Sequence, residues 1–308
     1  MRYLLAVAEE GHITRAAERL GMQQPPLSQQ IRKLESELGV QLLRRLSRGV
    51  ELTEAGAVFV QDARSLLAQL DRTRERVRRT ARGEEGRLCV GVAPTAPFHP
   101  LVPRIIRAYR EAYPLVAVTL EEGLSHEVTV RLMDDQMDVA FVRASRPHAD
   151  GLVVTPLLEE GMLAALPVGH PLAEEGRHLG LDLARLADDP FILFGPPGTG
   201  LHDETVAACR ACGFSPRIGQ PAPRITTTLG LVAAGLGVAL VPASLRNLRM
   251  DGLTFCSLLG SAQPKAFLGL AHRKGDPAPS LLHFRRLAEQ SSAAFRDASL
   301  PDAFDGSL

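Results

Sequence analysis

The chain of 308 residues has no tryptophan, four cysteines and a formal net charge of zero. It also lacks any apolar run near the roughly 20 residues that a membrane-crossing helix needs, so no membrane partner is expected. Met1-Arg-Tyr-Leu-Leu-Ala-Val-Ala8 begins like an export signal, but the run stops at Glu9-Glu10 without a small-residue cleavage site. The expected location is the cytoplasm. Cysteines this sparse (Cys89, Cys209, Cys212, Cys256) do not make a disulfide framework. Cys209-Arg-Ala-Cys212 would put two sulfurs on one helix face, yet no second close cysteine pair completes a zinc site, and the pair reads as small buried apolar residues. Gly195-Pro-Pro-Gly-Thr-Gly200 lacks the Lys-Ser/Thr of a phosphate loop, and Gly235-Leu-Gly237 lacks the third glycine of a dinucleotide fingerprint. Paired carboxylates such as Glu121-Glu122, Asp134-Asp135 and Asp188-Asp189 fall on helix ends or loops, and the nine histidines show no repeated ligand spacing. Neither catalysis nor a cofactor nor a metal is expected.

The zero net charge conceals a division. Residues 1–82 carry 15 Lys and Arg against 10 Asp and Glu, which leaves 20 against 25 in 83–308. A basic N-terminal portion suits a polyanionic partner whose counterions it displaces. Within it, residues 14–38 read as two short helices joined by a tight turn at Gly21. Thr14 is the expected cap of the first, with Ala16, Ala17 and Leu20 as its apolar stripe. Pro25 and Pro26 suit the first turn of the second, where a missing N–H costs nothing. Leu27, Ile31, Leu34 and Leu38 recur at steps of four, three and four and should share one buried face. The other face carries Gln29, Arg32, Lys33 and Ser36, with Ser28 on its flank and Gln24 and Pro25 at its start. Amides, hydroxyls and positive charge presented this way match base edges and phosphates in a major groove.

A first helix over 2–9 should pack behind this hairpin of helices. Residues 44–52 look like a β-hairpin turning at 47–49 and rimmed by Arg44, Arg45 and Arg48, a wing that would lie along the DNA backbone. From Thr53, a plausible N-cap, a helix runs to about residue 80 with Ala55, Val58, Phe59, Ala63, Leu66, Leu67, Leu70 and Val77 in one stripe. Such a helix is about 40 Å long, and its narrow apolar seam wants a partner helix, as a second copy would supply. Gly83-Glu-Glu-Gly86 reads as a hinge. Beyond it, short apolar strands (88–92, 116–121, 138–142, then 162–168, 191–194, 218–220, 236–241 and 267–271) alternate with helices, which argues for parallel sheet in two subdomains with a cleft between them.

Residues 16–20, 24–35, 38–42 and 52–56, together with Leu229-Gly-Leu-Val-Ala-Ala-Gly235-Leu-Gly237-Val-Ala-Leu-Val-Pro242, resemble the LysR-type transcriptional regulators over essentially the whole chain. Within that family the sequence looks closest to the branch regulating aromatic-compound and muconate catabolism. Members usually carry a few residues before the first helix, so the expectation is either that the natural N-terminus lies upstream of Met1 or that the chain has lost a few framework residues. The resemblance implies a multidomain α and α/β fold: a winged helix-turn-helix at 1–52, a linker and dimerisation helix at 53–82, a hinge at 83–86 and an effector domain at 87–308 similar to periplasmic binding proteins. Its subdomain I would take about 87–161 and 267–308, and subdomain II about 162–266. Thr95 aligns with one effector-contacting loop, Ser125 or its neighbour Leu124 with the second, and Arg143 with an arginine of that branch; plain helix capping is the competing role for the two hydroxyls. Pro196, Ile225, Thr226 and Thr227 are the expected opposite wall. The peroxide-sensing branch is disfavoured, because the partner position of Cys209 falls around Gly200. The implied partners are double-stranded DNA, a small organic or aromatic acid, a second copy in a homodimer that pairs into a homotetramer, and RNA polymerase. Among rival readings, a solute-binding transport protein leaves the first 82 residues without use, and a nucleotide-dependent α/β enzyme finds no complete motif.

Overall fold

A computed structural model describes residues 1–143, 150–260 and 263–299. The chain divides into two compact units, Met1–Arg79 and Thr80–Leu308.

In the first unit, α1 (Arg2–Glu10), α2 (Ile13–Arg19) and α3 (Gln24–Leu38) precede a hairpin of β1 (Leu43–Leu46) and β2 (Gly49–Leu52). Leu4, Val7, Ala16, Ala17, Leu27, Ile31, Leu42 and Val60 form its core. Gly21 takes the left-handed conformation that the turn between α2 and α3 requires. Pro25 and Pro26 fall in the first turn of α3. Two expectations shift. The cap of α2 is His12, whose Nδ1 accepts from the Thr14 N–H at 3.2 Å, because the helix already starts at Ile13. On α3, Leu27 and Ile31 are buried, Leu34 is half-buried and Leu38 is exposed, since the last turn overhangs the small core. The helix α4 (Glu54–Ala81) begins where Thr53 Oγ1 accepts from the Gly56 N–H at 2.9 Å, as a cap should.

The second unit holds a seven-stranded sheet of mixed direction. Its first lobe winds through β3 (Glu85–Val92), α5 (Leu101–Ala112), β4 (Leu115–Glu122), α6 (Ser125–Met133) and β5 (Val139–Val142), with β3 parallel to both β4 and β5. A single long strand, β6 (Leu152–Pro167), then crosses into the second lobe. There follow α7 (Ala173–Leu179), β7 (Pro190–Phe194), α8 (Gly200–Ala211), β8 (Arg217–Ala222), α9 (Ile225–Ala233), β9 (Ala239–Pro242) and β10 (Leu253–Ser257). The strand β11 (Lys265–Arg273) returns to the first lobe, and α10 (Pro279–Ser299) packs on it with Leu281, Phe284 and Ala288 in the core. The sheet is therefore not purely parallel. β6 and β11 pair antiparallel with each other over most of their length, because two strands that carry the chain out and back must run in opposite directions. Residues 300–308, assigned above to the first subdomain, lie outside the described residues.

Candidate functional site

Each of the two units carries a candidate site. In the first, α3 turns Gln29, Arg32 and Lys33 outward, all exposed, while its other face packs on the core. Lys33 lies 3.9 Å from Glu37 one turn on. Ser28 is buried, and its hydroxyl accepts from the Gln24 side-chain amide at 3.1 Å, so it orients Gln24 and is not itself presented. Pro25 is exposed beside Gln24 at the helix start.

The hairpin that follows is fixed to α3 by its backbone. Glu35 Oε1 accepts from the N–H of Leu42 at 2.8 Å and of Leu43 at 3.1 Å. Thr53 Oγ1 donates to the Gln41 carbonyl at 2.7 Å, and the Thr53 N–H donates to the Leu42 carbonyl at 3.0 Å. Gly56 closes the corner, because a Cβ there would collide with that same Leu42 carbonyl oxygen. Arg45 and Arg48 stand exposed near the hairpin tip. Arg44 faces Glu51 across the ladder and is ion-paired with it, so its charge is partly spent within the wing. Glu35 and Gly56 were not among the residues singled out from the sequence; the only signal of either is its spacing within the quoted motifs.

In the second unit, Thr95, Ser125 and Arg143 come together at the C-terminal ends of β3 and β5. Arg143 Nε donates to Thr95 Oγ1 at 3.1 Å and Nη2 donates to the Thr95 carbonyl at 3.0 Å. The Arg143 N–H donates to Ser125 Oγ at 3.1 Å. Neither hydroxyl caps a helix: Thr95 makes no side-chain cap bond, and Ser125 lies inside α6, whose cap position is Leu124. Since both oxygens accept from Arg143, each keeps its own O–H for donation.

Arg143 and Glu160 form a buried ion pair, Nη1 to Oε1 at 2.8 Å, with the side chains 3% and 9% exposed. The pair is skewed, so that Nη1 makes no well-aligned hydrogen bond. Burial disfavours the charged guanidinium, and the adjoining carboxylate opposes that effect. Glu160 also accepts from the Ser244 N–H at 2.6 Å and the Ser244 hydroxyl at 3.1 Å. His99, buried close by, is held below the ordinary histidine range by desolvation, with Glu160 and Arg143 pulling in opposite directions.

These residues back a small cavity of about 10 Å³, room for about one water. Thr95, Leu124, Ser125 and Arg143 line one side, and Phe194, Thr199, Gly200 and Leu201 line the other. Pro196 and the α9 residues Thr226 and Thr227 are exposed and do not line it, while Ile225 is buried in the second lobe's own core. Cys209 is buried in that lobe, with its thiol pushed up to about 12 by burial, and Cys212 packs half-buried beside it. Among the described residues no group of histidine, cysteine and carboxylate side chains could hold a metal ion. No described helix is long and apolar enough to cross a membrane.

Comparison with known proteins covers both units. Residues 1–57 match the family description "Bacterial regulatory helix-turn-helix protein, lysR family", and residues 81–293 match "LysR substrate binding domain". The chain is 36% identical to the HTH-type transcriptional regulator BudR of Raoultella terrigena, across 92% of this chain and 97% of that protein. It is 36% identical to the HTH-type transcriptional regulator CatR of Pseudomonas putida, across 91% of this chain and 93% of that protein. The solved structure of full-length CbnR complexed with its target DNA aligns with a TM-score of 0.82 at 30% identity, covering 94% of this chain and 98% of CbnR.

Proposed function

The chain belongs to the LysR family of DNA-binding transcriptional regulators with an effector-binding domain, and from that premise we propose the parts its residues play. Gln29 and Arg32 read base edges in the major groove, with Lys33 beside them and Pro25 shaping the helix start. Ser28 acts through Gln24, which it orients. Arg45 and Arg48 hold backbone phosphates from the wing, and Arg44 joins them to the extent that Glu51 releases it.

The same reading assigns 1–52 to DNA, 53–82 to self-association through α4, 83–86 to a hinge whose last two residues already pair in β3, and 87–308 to the effector. A homodimer, and a homotetramer built from it, would place recognition helices on repeated half-sites. The setting is the cytoplasm, where the operator and RNA polymerase are.

The effector is a small organic or aromatic acid, the class that the resemblance to the aromatic and muconate branch implies. One observation carries this reading. Thr95 and Ser125 each accept a hydrogen bond from Arg143 and retain an O–H donor at the cavity, and the first residues of α6 and α8 line it. A site rich in donors suits a carboxylate.

The DNA reading is tested with a fragment from upstream of the protein's own coding region, by fluorescence anisotropy and footprinting across a salt series. The wild type is expected to protect a discrete site with salt-sensitive affinity. Arg32→Ala should lose about tenfold or more in specific affinity while its circular dichroism spectrum stays the same. An unchanged footprint in that variant would remove α3's outer face from base recognition.

A further inference from the structure

We propose that His12 and Thr14, with Gln24 and Arg45, form a pocket that grips one phosphate of the bound DNA, and that His12 offers it a neutral donor. The inference rests on the DNA reading of the first unit given above. It adds two residues from the turn between α1 and α2, which belongs to neither the recognition helix nor the wing.

A cavity of about 220 Å³ lies between the start of α3 and the hairpin. His12, Thr14, Gln24 and Arg45 are its polar walls, and among the described residues no carboxylate lines it. The volume is about seven times a water's share of about 30 Å³, enough for a phosphate group. On the wing side the cavity is closed by Gly49 and Val50. These are seated on the turn itself, where the Val50 N–H donates to the Gly11 carbonyl at 3.0 Å. Gly49 holds φ +101, and a Cβ there would collide with that same carbonyl oxygen. The sequence thus lets the wing come close enough to share a wall with His12.

Each polar wall can donate. His12 Nδ1 accepts from the Thr14 N–H at 3.2 Å, so the ring is neutral and its hydrogen sits on Nε2, which is left as a donor. Thr14 is exposed and brings a hydroxyl. Gln24 spends one amide hydrogen on Ser28 and keeps the other. Arg45 brings the charge: strand alternation turns it away from Arg44, which Glu51 holds on the opposite face. One cation among three neutral donors, with no carboxylate against them, matches a monoanion rich in acceptors. A phosphodiester is such a group. With α3 in the major groove and the wing along the backbone, the strand that joins the two contacts crosses the ground between Gln24 and Arg45. A phosphate held there fixes position and carries no sequence information.

The test uses the full-length protein with the upstream fragment and a random-sequence duplex of equal length, read by fluorescence anisotropy across a salt series. His12→Ser keeps an oxygen to cap the Thr14 N–H but removes the Nε2 donor. It should weaken binding to both duplexes by about tenfold, leaving their ratio where it was. Because the lost donor is neutral, the slope of log affinity against log salt should stay at the wild-type value, whereas Arg45→Ala should reduce it by about one. Ethylation interference gives the position: one phosphate in each half-site should matter to the wild type and no longer to His12→Ser. A purely capping role for His12 predicts instead that His12→Ser binds as the wild type does.

Wild-type affinity in His12→Ser overturns the proposal. So does a loss confined to the upstream fragment, which would mean base reading, and so does a reduced salt slope or an unchanged interference pattern in that variant. If His12→Ser does not fold, Thr14→Val removes another of the donors and carries the same expectations and the same overturning results. Each of these outcomes sinks this inference alone. A wild type that binds neither duplex in a salt-sensitive way would sink the DNA reading with it.

Discussion

Thr95 and Ser125 occupy positions where a hydroxyl commonly caps a helix, yet each gives its oxygen to Arg143 instead. That choice leaves the cavity beside them with donors, so the chemistry of two small side chains follows from one buried cation. His272 shows the converse, a buried group with an unmet need. Its Nδ1–H donates to the Arg273 carbonyl at 2.8 Å, and Nε2 is left buried without a partner. Burial, with the nearby Arg285, holds this imidazole below the ordinary value, against upward pulls from the Arg273 carbonyl and, more weakly, from Asp276 and Glu289. His99 is depressed by burial in the same way. For such groups the unfolded chain binds more protons than the folded one. Their stabilising contribution is thus full above the unfolded value of about 6.5 and is lost as pH falls through it. The urea midpoint should drop between about pH 7.5 and about pH 5.5, and His272→Leu should flatten that slope. A variant with the wild-type slope would take His272 out of the explanation.

At the level of elements, the wing depends on a corner rather than on its own two short strands. An isolated hairpin of this size is marginal in water. Here Glu35 of α3 binds two of its N–H groups, and Thr53 ties its far end to the start of α4. Gly56 allows α4 to pass over the Leu42 carbonyl. Gly56→Ala tests this corner because two effects oppose each other. Alanine favours the helix by about 1 kcal/mol, while forcing a side chain against a backbone carbonyl costs about 1–3 kcal/mol. The collision should win, lowering the urea midpoint and weakening operator binding as the wing is displaced. A more stable Gly56→Ala protein with full DNA affinity would show that the corner yields easily.

For the whole molecule, the decisive surface is α4. Val60 and Ala63 are buried against the first unit, but Val58, Leu66, Leu70 and Val77 are exposed, three of them by more than half. The stripe that periodicity predicted is therefore real as a pattern and uncovered within one chain. An apolar seam of this length is best covered by a second copy of the helix. Leu70→Lys replaces one exposed apolar side chain without touching the core. Sedimentation velocity at low micromolar concentration should show it shifted toward monomer, with unchanged helix content. If it sediments as the wild type does, the assembly uses another surface.

What the residues alone determined was everything governed by short-range spacing. The turn at Gly21, the prolines opening α3, the Thr53 cap, the hairpin near 47–49 and the long α4 all follow from periods of two and 3.6 and from backbone preferences that act within a few positions. The alternation of strands and helices likewise exposed the two-lobed α/β architecture. Tertiary structure alone decided which charges cancel and which walls meet. Arg143 and Glu160 stand 17 positions apart, and Ser244 stands 84 beyond Glu160; no periodicity links them. The same holds for Phe194 and Thr199 facing Thr95, for Leu38 left in solvent, and for one strand over Leu152–Pro167 spanning both lobes where only a short strand at 162–168 was expected. Local patterns record the face a side chain presents, whereas the neighbour it meets there is fixed only when distant segments pack and water is expelled between them.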